Sequence, residues 1–303
     1  PQGGPGEGSV ENVSLLASID KPALNWHHED ASHYGVEGYG SAIGNFSESI
    51  QRPESARERC GEGHLFAVFV SSEGTSDSSN RNLKIVEGDS SKLAWKVALG
   101  ATEKVKATPL LIDIDSDSKL EVIIAYDTSN SLHIDVWEPE LICSESGWQT
   151  SGHETELAWS FTETNLRLGE ESPHWAVQQS EGEHLVSSQP LLADLEMDNS
   201  PEIILSTIDI DTGYPVVIAL PLTVQGPPNP MWSVTLDRGT HISDPTWVAL
   251  DSQNSAVLIT TIDKDSGGMW IWRIDGSTGS LDWERISITG TETETDPIHL
   301  RIP

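Results

Sequence analysis

The sequence of 303 residues predicts an all-β chain, arranged as a β-propeller of four-stranded blades. Three observations lead to this prediction. Stretches with apolar residues at the three-four spacing of a capped helix are nearly absent. Short β-branched and aromatic runs recur between Gly, Asp, Ser and Pro, which is typical of strands bounded by turns. A tryptophan and a proline-led apolar strand also recur along the chain, which indicates an internal repeat.

The predicted strands are short apolar runs. They are HLFAVFVSS (64–72), NLKIVEG (82–88), TPLLIDI (108–114), EVIIAYD (121–127), LHIDVWE (132–138), EIILSTI (202–208), VVIALPL (216–222), AVLITTI (256–262) and GMWIWRID (268–275). Turn-forming residues separate these runs from one another, so the chain changes direction after each one.

Each repeat is marked by a tryptophan on one strand. The five markers are Trp26, Trp95, Trp159, Trp232 and Trp283. After each marker and a connector comes a proline-led strand, beginning at Thr108, Gln189, Asp244 and Asp296, with a proline-free version from Gly40. Four strands per unit with an aromatic marker predict propeller blades. Because the tryptophans recur once per unit, we expect them to wedge between neighbouring blades.

The repeats assign the chain to one domain after a short lead-in. Residues 1–9 are predicted to be a flexible lead-in, and residues 10–303 form the propeller. Four units are complete. Residues 11–28 supply two outer strands and residues 296–303 supply one inner strand, so together they are able to close a split fifth blade. The alternative, favoured slightly by the pattern at DPIHLRIP, is an excerpt of a larger propeller.

The composition is strongly acidic. The net charge is −31, from 48 Asp and Glu against 17 Lys and Arg. This field repels nucleic acid and anionic lipid heads and attracts cations, so neither nucleic-acid binding nor direct membrane insertion is expected. No window approaches the roughly 20 consecutive apolar residues of a membrane-spanning helix. An acidic secreted surface, or adaptation to salty water, accounts for most of this charge.

Two cysteines and two short glycosylation patterns bear on location. Cys60 and Cys143 lie in polar, loop-like segments outside any metal-binding spacing, so a disulfide and two free thiols both stay open. Asn12-Val-Ser14 and Asn45-Phe-Ser47 match the acceptor pattern for N-linked glycans, a pattern often matched by chance.

The chemistry-bearing motif is a nine-residue turn that occurs twice. In DIDSDSKLE, carboxylates stand at positions 1, 3, 5 and 9, and DLEMDNSPE repeats this spacing in the next unit. Ca²⁺ prefers six to eight oxygen ligands, and a tight loop with alternate acids turns several inward. The backbone carbonyl at position 7 adds another oxygen. The predicted ligands are Asp113, Asp115, Asp117, Lys119 and Glu121, and Asp194, Glu196, Asp198, Ser200 and Glu202.

The repeats also resemble known propeller families. Asp275, Thr278, Gly279 and Trp283 form a D-x-x-T-G-x-x-x-W pattern that resembles PQQ-like (quinoprotein-like) blades. The inner strand followed by DIDSDSKLEV resembles the FG-GAP/VCBS repeats of integrin-type propellers. Gly44-Asn45-Phe46 stands where those repeats tend to show Gly-Asp-Phe. The resemblance covers about residues 10–303 and implies fold more than function, since propellers support unrelated activities.

The resemblance also exposes departures. FG-GAP loops usually carry Gly at position 6, where Ser118 and Asn199 stand here, and Asn accepts left-handed backbone better than Ser. The other units lack the full acid series, with Ala249 and Arg301 at the first ligand position in two of them. We therefore expect the ion to stabilise particular turns and not to carry out chemistry.

Two functional classes follow. The first is a secreted or cell-surface module for binding, adhesion or assembly, with structural Ca²⁺ and a protein, a glycan or its own copies as partner. The alternative is a propeller lyase, hydrolase or degenerate quinoprotein that uses histidines of the connectors. Those histidines are His27, His28, His33, His174, His184 and His241. Because no recognised catalytic motif appears, the non-enzymatic class is preferred.

Overall fold

The computed structural model describes residues 33–56, 60, 65–73, 80–88, 90–100, 107–128, 130–153, 156–169, 189–223, 229–262, 268–281 and 286–288. These ranges contain strands and two short 3-10 helices, Ser47–Ser49 and Glu54–Ala56, and no α-helix. The all-β prediction is therefore confirmed. Neither of the helices in these ranges has the length or the apolar character needed to cross a bilayer.

The chain divides into two compact units, one of residues 1–124 with 135–159 and one of residues 125–134 with 160–303. The first half of the chain contributes the strands β1 (His33–Asn45), β2 (Ile50–Gln51), β3 (Leu65–Glu73), β4 (Asn80–Glu87), β5 (Leu93–Gly100), β6 (Leu110–Ile112), β7 (Glu121–Asp127), β8 (Ser131–Trp137), β9 (Leu141–Ser144), β10 (Gly147–Trp148) and β11 (Leu157–Thr164).

The second half contributes ten further strands. They are β12 (Leu166–Leu168), β13 (Leu191–Ala193), β14 (Glu202–Asp209), β15 (Pro215–Pro221), β16 (Trp232–Thr235), β17 (His241–Ile242), β18 (Thr246–Ala249), β19 (Ser255–Ile262), β20 (Met269–Asp275) and β21 (Ile286–Ile288).

Each of the four complete predicted repeats forms one sheet. The first sheet has the order β1-β3-β4-β5, and the second has the order β6-β7-β8-β11. In the third sheet, β14 pairs with β13 and β15, and β15 pairs with β16. In the fourth sheet, β19 pairs with β18 and β20, and β20 pairs with β21. Two short strands, β12 and β17, extend the third and fourth sheets and were not predicted. The described sheets are open, and their arrangement as a propeller stays a proposal.

Some predictions fall outside the described residues. The lead-in 1–9, the outer strands in 11–28 and the inner strand in 296–303 are among them, so the split fifth blade stays a prediction. The same applies to Trp26 and Trp283.

Trp232 lies between two successive sheets of the second unit. Its indole Nε1 donates a 2.7 Å hydrogen bond to the backbone carbonyl of Gly276, in the turn after β20. Gly279 in the same turn has a φ of +70°, and a Cβ placed there would lie 2.6 Å from Cγ of Trp232. The core around this contact joins Ile204 and Val217 to residues of the fourth sheet, such as Val257. Trp232 therefore packs between the third and fourth sheets, and its role as a wedge between propeller blades stays a prediction.

Trp95 makes the corresponding contact in the first unit. It is fully buried on β5, and its ring meets the edge of Trp137 on β8 at a centroid distance of 6.1 Å. Its Nε1 donates a 2.6 Å hydrogen bond to Oε2 of Glu156, just before β11. The tryptophan of the first sheet thus packs on residues of the next repeat.

A disulfide joins Cys60 to Cys143, with a Cα–Cα distance of 6.4 Å that suits such a bridge. Both cysteines are buried, and they pack with Ala56 and Trp148. Nearby, β2 pairs in parallel with β9, so the β9–β10 hairpin inserted after β8 is held against the segment that follows β1. Of the two alternatives left open by the sequence, a disulfide and two free thiols, the structure has the disulfide.

Candidate metal centre

The first acidic loop connects β6 to β7 and is closed by its own backbone amides. Ile112 pairs with Glu121 across the ladder, so residues 113–120 form the loop. Oδ1 and Oδ2 of Asp113 accept hydrogen bonds from the backbone N–H groups of Asp117 (3.1 Å) and Ser118 (3.0 Å). Oδ1 of Asp117 accepts one from Lys119 at 2.8 Å. These bonds turn the side chains at positions 1 and 5 toward the inside of the loop.

The loop brings its first three carboxylates together. Asp113, Asp115 and Asp117 each offer an oxygen, and these three oxygens lie within 4.8 Å of one another. Oxygens bound to one Ca²⁺ at about 2.3–2.6 Å have spacings of this order or smaller. The three predicted ligands at positions 1, 3 and 5 are therefore adjacent in space.

The second acidic loop, residues 194–201 between β13 and β14, repeats this geometry. Asp194 accepts hydrogen bonds of 2.9 Å from the N–H groups of Asp198 and Asn199 through its two oxygens. Oδ1 of Asp198 accepts one from Ser200 at 2.8 Å. The two loops, which were aligned by the spacing of their acids alone, therefore make the same three hydrogen bonds at the same positions.

Both loops use left-handed backbone at the same two positions. Ser116 and Ser118 have φ values of 62° and 72°, and Met197 and Asn199 have values of 57° and 68°. Position 6, where the resembling families carry Gly, is indeed left-handed in both loops. Position 4 is left-handed as well, and nothing in the sequence indicated this, because Ser and Met seldom adopt the conformation.

The second loop differs at position 3. Glu196 replaces the Asp115 of the first loop, and Asp115 accepts an additional 3.1 Å bond from the N–H of Asp117. Among the described residues, only the first loop gathers three carboxylate oxygens within 4.8 Å. Glu196 at position 3 is therefore the difference in acid type between the two loops.

The acid at position 9 is buried under each loop. Glu121 is 5% exposed and Glu202 is 3% exposed. Oε2 of each accepts a hydrogen bond from the backbone N–H at position 2 of its loop, from Ile114 at 2.6 Å and from Leu195 at 2.7 Å. Each loop therefore rests on a buried glutamate whose Oε2 supports the loop backbone.

Burial is the main reason why both glutamates hold a proton more tightly than usual. It raises the pKa of Glu121 and of Glu202 from 4.5 to about 7. The backbone hydrogen bond from position 2 opposes this effect, and the neighbouring acids of the loop reinforce it. A cation placed among these groups would offset the repulsion between the glutamate and the loop acids. The oxygen atoms of this donor set fit a divalent, oxygen-seeking ion.

Lys119 has a role that its position in the motif did not reveal. The sequence predicted only its backbone carbonyl as a ligand, and that ligation stays a prediction, as it does for Ser200. Its ammonium Nζ, however, lies 2.9 Å from Oδ2 of Asp117 and 3.4 Å from Oε1 of Glu138. Hydrogen bonds with Lys119 lower the pKa of the exposed Asp117, and the same contact raises the pKa of Lys119.

The corresponding turns of the other two sheets lack the acid series, and a single Asp or Asn side chain bonds the turn backbone in each. In the fourth sheet the ladder runs on to Ala249 and Ser255, and the intervening turn is closed by Asp251, whose Oδ1 accepts a 2.8 Å bond from the N–H of Gln253. In the first sheet, Oδ1 of Asn45 accepts a 3.0 Å bond from the N–H of Ser47.

The structure does not test the connector histidines of the enzymatic alternative. His27, His28, His174 and His184 lie outside the described residues, and only the backbone of His33 and His241 is described. Their convergence therefore remains untested.

Comparisons with known proteins identify no family. No protein-family profile and no curated protein matches the chain by sequence. Among solved structures, the chain is similar to the crystal structure of the V. cholerae biofilm matrix protein Bap1, with a TM-score of 0.38 and 13% identity. The match covers 86% of this chain and 41% of that chain. A TM-score of this size does not establish a common fold, and the chain spans less than half of that protein.

Proposed function

We propose that this chain is a β-propeller module that acts outside the cell or at its surface by binding, adhesion or assembly, with Ca²⁺ as a structural ion in the two acidic loops. One observation carries the proposal. Two loops in successive repeats share their hydrogen bonds and their left-handed positions, and each covers a buried glutamate that is bonded to the loop backbone.

The donor set favours calcium over other ions. Each loop offers oxygen ligands from four carboxylates and a carbonyl, and neither loop contains cysteine or histidine. Hard cations prefer such oxygens, and Ca²⁺ tolerates the irregular geometry of a loop better than Mg²⁺, which demands a near-ideal octahedron. Modules outside cells commonly bind Ca²⁺ with dissociation constants of about 10⁻⁴–10⁻³ M.

The position of the loops favours a structural role for the ion. Each loop joins the innermost strand of a repeat to the next strand, and its acids are already fixed by backbone amides. The equivalent turns after Asn45 and Ala249 lack the full series of acids. Calcium in this proposal therefore fixes the corners of two blades, and the partner binds elsewhere.

Two features support a location outside the cell. Disulfides persist in oxidising compartments, and the bridge between Cys60 and Cys143 is buried in the first unit. The net charge of −31 suits a soluble protein in calcium-containing medium. Partners in this proposal are a protein or glycan of the cell surface, or further copies of this chain.

The propeller itself is proposed from repetition and contact. Each complete repeat forms a sheet of four main strands, and Trp95 and Trp232 both pack on residues of the following repeat. Repeats that each pack on the next one in this way produce either a closed ring or an open array. We favour the ring because its short, protected strand edges limit edge-to-edge aggregation.

Calorimetry with and without calcium tests the proposal. Ca²⁺ at about 100 times the dissociation constant adds about 2.7 kcal/mol per site to the free energy of unfolding. We expect the melting temperature to rise by about 5 °C or more relative to protein in EGTA. An unchanged melting temperature, together with no heat of Ca²⁺ binding in a titration, would overturn the assignment of the ion.

A further inference from the structure

We propose that the Lys119 ammonium is a tethered competitor of the cation in the first acidic loop, so that the second loop is the one that depends on calcium. This inference rests on the proposed calcium function and deepens it. It predicts that two loops with the same acid spacing bind the ion with different affinities.

The competitor occupies a ligand atom. Nζ of Lys119 lies 2.9 Å from Oδ2 of Asp117, the carboxylate at position 5 that the cation would also use. Oδ1 of the same side chain is held by the N–H of Lys119. An incoming cation therefore has to displace the ammonium from Asp117 or share the carboxylate with it, and like-charge repulsion opposes sharing.

Glu138 gives the displaced ammonium a second position. Its Oε1 is 3.4 Å from Nζ, so a small movement takes Lys119 from Asp117 toward Glu138. The lysine side chain is 32% exposed, so water screens the competition in part. The expected result is weakened binding in the first loop and not its loss.

The second loop lacks such a competitor. Ser200 stands at the position of Lys119, and its backbone N–H makes the same 2.8 Å bond to position 5, here Asp198. In the described ranges, no Lys, Arg or His side chain pairs with Asp194, Asp198 or Glu202. Repulsion among these acids is therefore not offset by a neighbouring ammonium, and binding a cation relieves more of it here than in the first loop.

A reciprocal exchange in the full chain tests the inference by isothermal titration with CaCl₂ at fixed ionic strength. Asp194→Asn with Asp198→Asn leaves only the first loop able to bind, and Asp113→Asn with Asp117→Asn leaves only the second. In the first background, Lys119→Ser should strengthen Ca²⁺ binding by about 3- to 30-fold. In the second background, Ser200→Lys should weaken Ca²⁺ binding by a similar factor.

Matched variants separate competition from general charge effects. Lys92→Ser removes the same charge from an exposed position just before β5 and should leave the affinity of the first loop unchanged. Lys119→Met should behave as Lys119→Ser does, because it also removes the ammonium but keeps the length of the side chain. Lys119→Arg retains the charge and should keep the binding weak.

The outcomes distinguish the two proposals. If the unaltered chain takes up no Ca²⁺ at either loop, the calcium function is wrong and this inference falls with it. If Ca²⁺ binds but Lys119→Ser and Lys119→Met change the affinity no more than Lys92→Ser does, the calcium function stands and the competitor role of Lys119 is wrong.

Discussion

Oε2 of Glu121 accepts a 2.6 Å hydrogen bond from the backbone N–H of Ile114, which ties the first residue of β7 to the second residue of the acidic loop. Glu202 and Leu195 repeat this bond at 2.7 Å in the next repeat. In both loops a buried carboxylate thus supports the backbone while it lies close to other acids. A proton on the glutamate removes its repulsion with these acids, which makes the arrangement sensitive to pH.

Without calcium, the protein should lose stability as pH rises. The folded-state pKa of Glu121 and of Glu202 is raised from 4.5 to about 7, so each contributes stability below pH 4.5 that is lost as the pH passes through 7. We expect the free energy of unfolding in EGTA to fall by about 1–2 kcal/mol per site between about pH 5 and pH 7.5. The melting temperature should fall over the same range of pH. Saturating Ca²⁺ should flatten this fall.

Glutamine variants provide the matching control for the pH experiment. Glu121→Gln and Glu202→Gln keep the bond to the loop amide but remove the ionisable group. In EGTA at pH 8 they should be at least as stable as the unaltered protein, and they should gain less from Ca²⁺. Variants that are strongly destabilised in EGTA at pH 8 would contradict the assigned protonation.

Local patterns were sufficient to predict most of the fold. The run EVIIAYD became β7 with the predicted bounds, because a short buried strand carries its own apolar signal. The short strands β2, β12 and β17 were missed because two or three residues hold no period. Pairing of Cys60 with Cys143 could not be inferred either, since it depends on the contact between β2 and β9 across a sequence separation of 83.

The candidate site was predicted in outline. In the first loop, the alternating acids indicated which side chains lie together, because the hydrogen bonds that gather them form within the loop itself. The ammonium of Lys119 was missed, since its direction depends on Glu138, which follows in the chain only after β7 and β8. Left-handed Met197 was missed for another reason, because the usual markers of that conformation are Gly and Asn.

Removal of the disulfide should weaken the first unit. The bridge closes a long loop between Cys60 and Cys143, and loops of this length correspond to about 4 kcal/mol in the chain-entropy description. We expect the double variant Cys60→Ser with Cys143→Ser to unfold at a clearly lower urea concentration. Ser55→Ala, an exposed substitution in the neighbouring helix, serves as the control. Equal midpoints for the double variant and the parent would show that the bridge adds nothing.

The contact between Trp232 and Gly279 should tolerate no added methyl group. Gly279→Ala places a Cβ 2.6 Å from Trp232 and also forces a left-handed alanine, with a φ of +70°. Gly213→Ala provides the matched control, since its φ is +72° but nothing lies within 4 Å of the new Cβ. We expect about 1 kcal/mol of destabilisation for Gly213→Ala and about 1–3 kcal/mol more for Gly279→Ala. Similar urea midpoints for the two variants would mean that Trp232 does not pack on this turn.

Truncation of Glu156 should clearly destabilise the first unit. Its Oε1 lies 2.6 Å from Nδ1 of the buried His153, and its Oε2 accepts bonds from Trp95 Nε1 (2.6 Å) and from the N–H of Glu140 (2.9 Å). Glu156→Ala leaves all these groups without their acceptor, which corresponds to about 3–5 kcal/mol when a buried charged partner is removed.

Urea unfolding followed by tryptophan fluorescence measures this effect, because Trp95 is itself part of the network. Nε2 of His153 faces the backbone carbonyl of Gln149 at 2.9 Å, so both ring nitrogens face oxygen atoms. Glu156→Gln retains one acceptor oxygen and should lose less stability than Glu156→Ala. Exposed Glu145→Ala should change the free energy of unfolding by no more than about 0.5 kcal/mol. A Glu156→Ala variant as stable as Glu145→Ala would show that these bonds do not hold the first unit together.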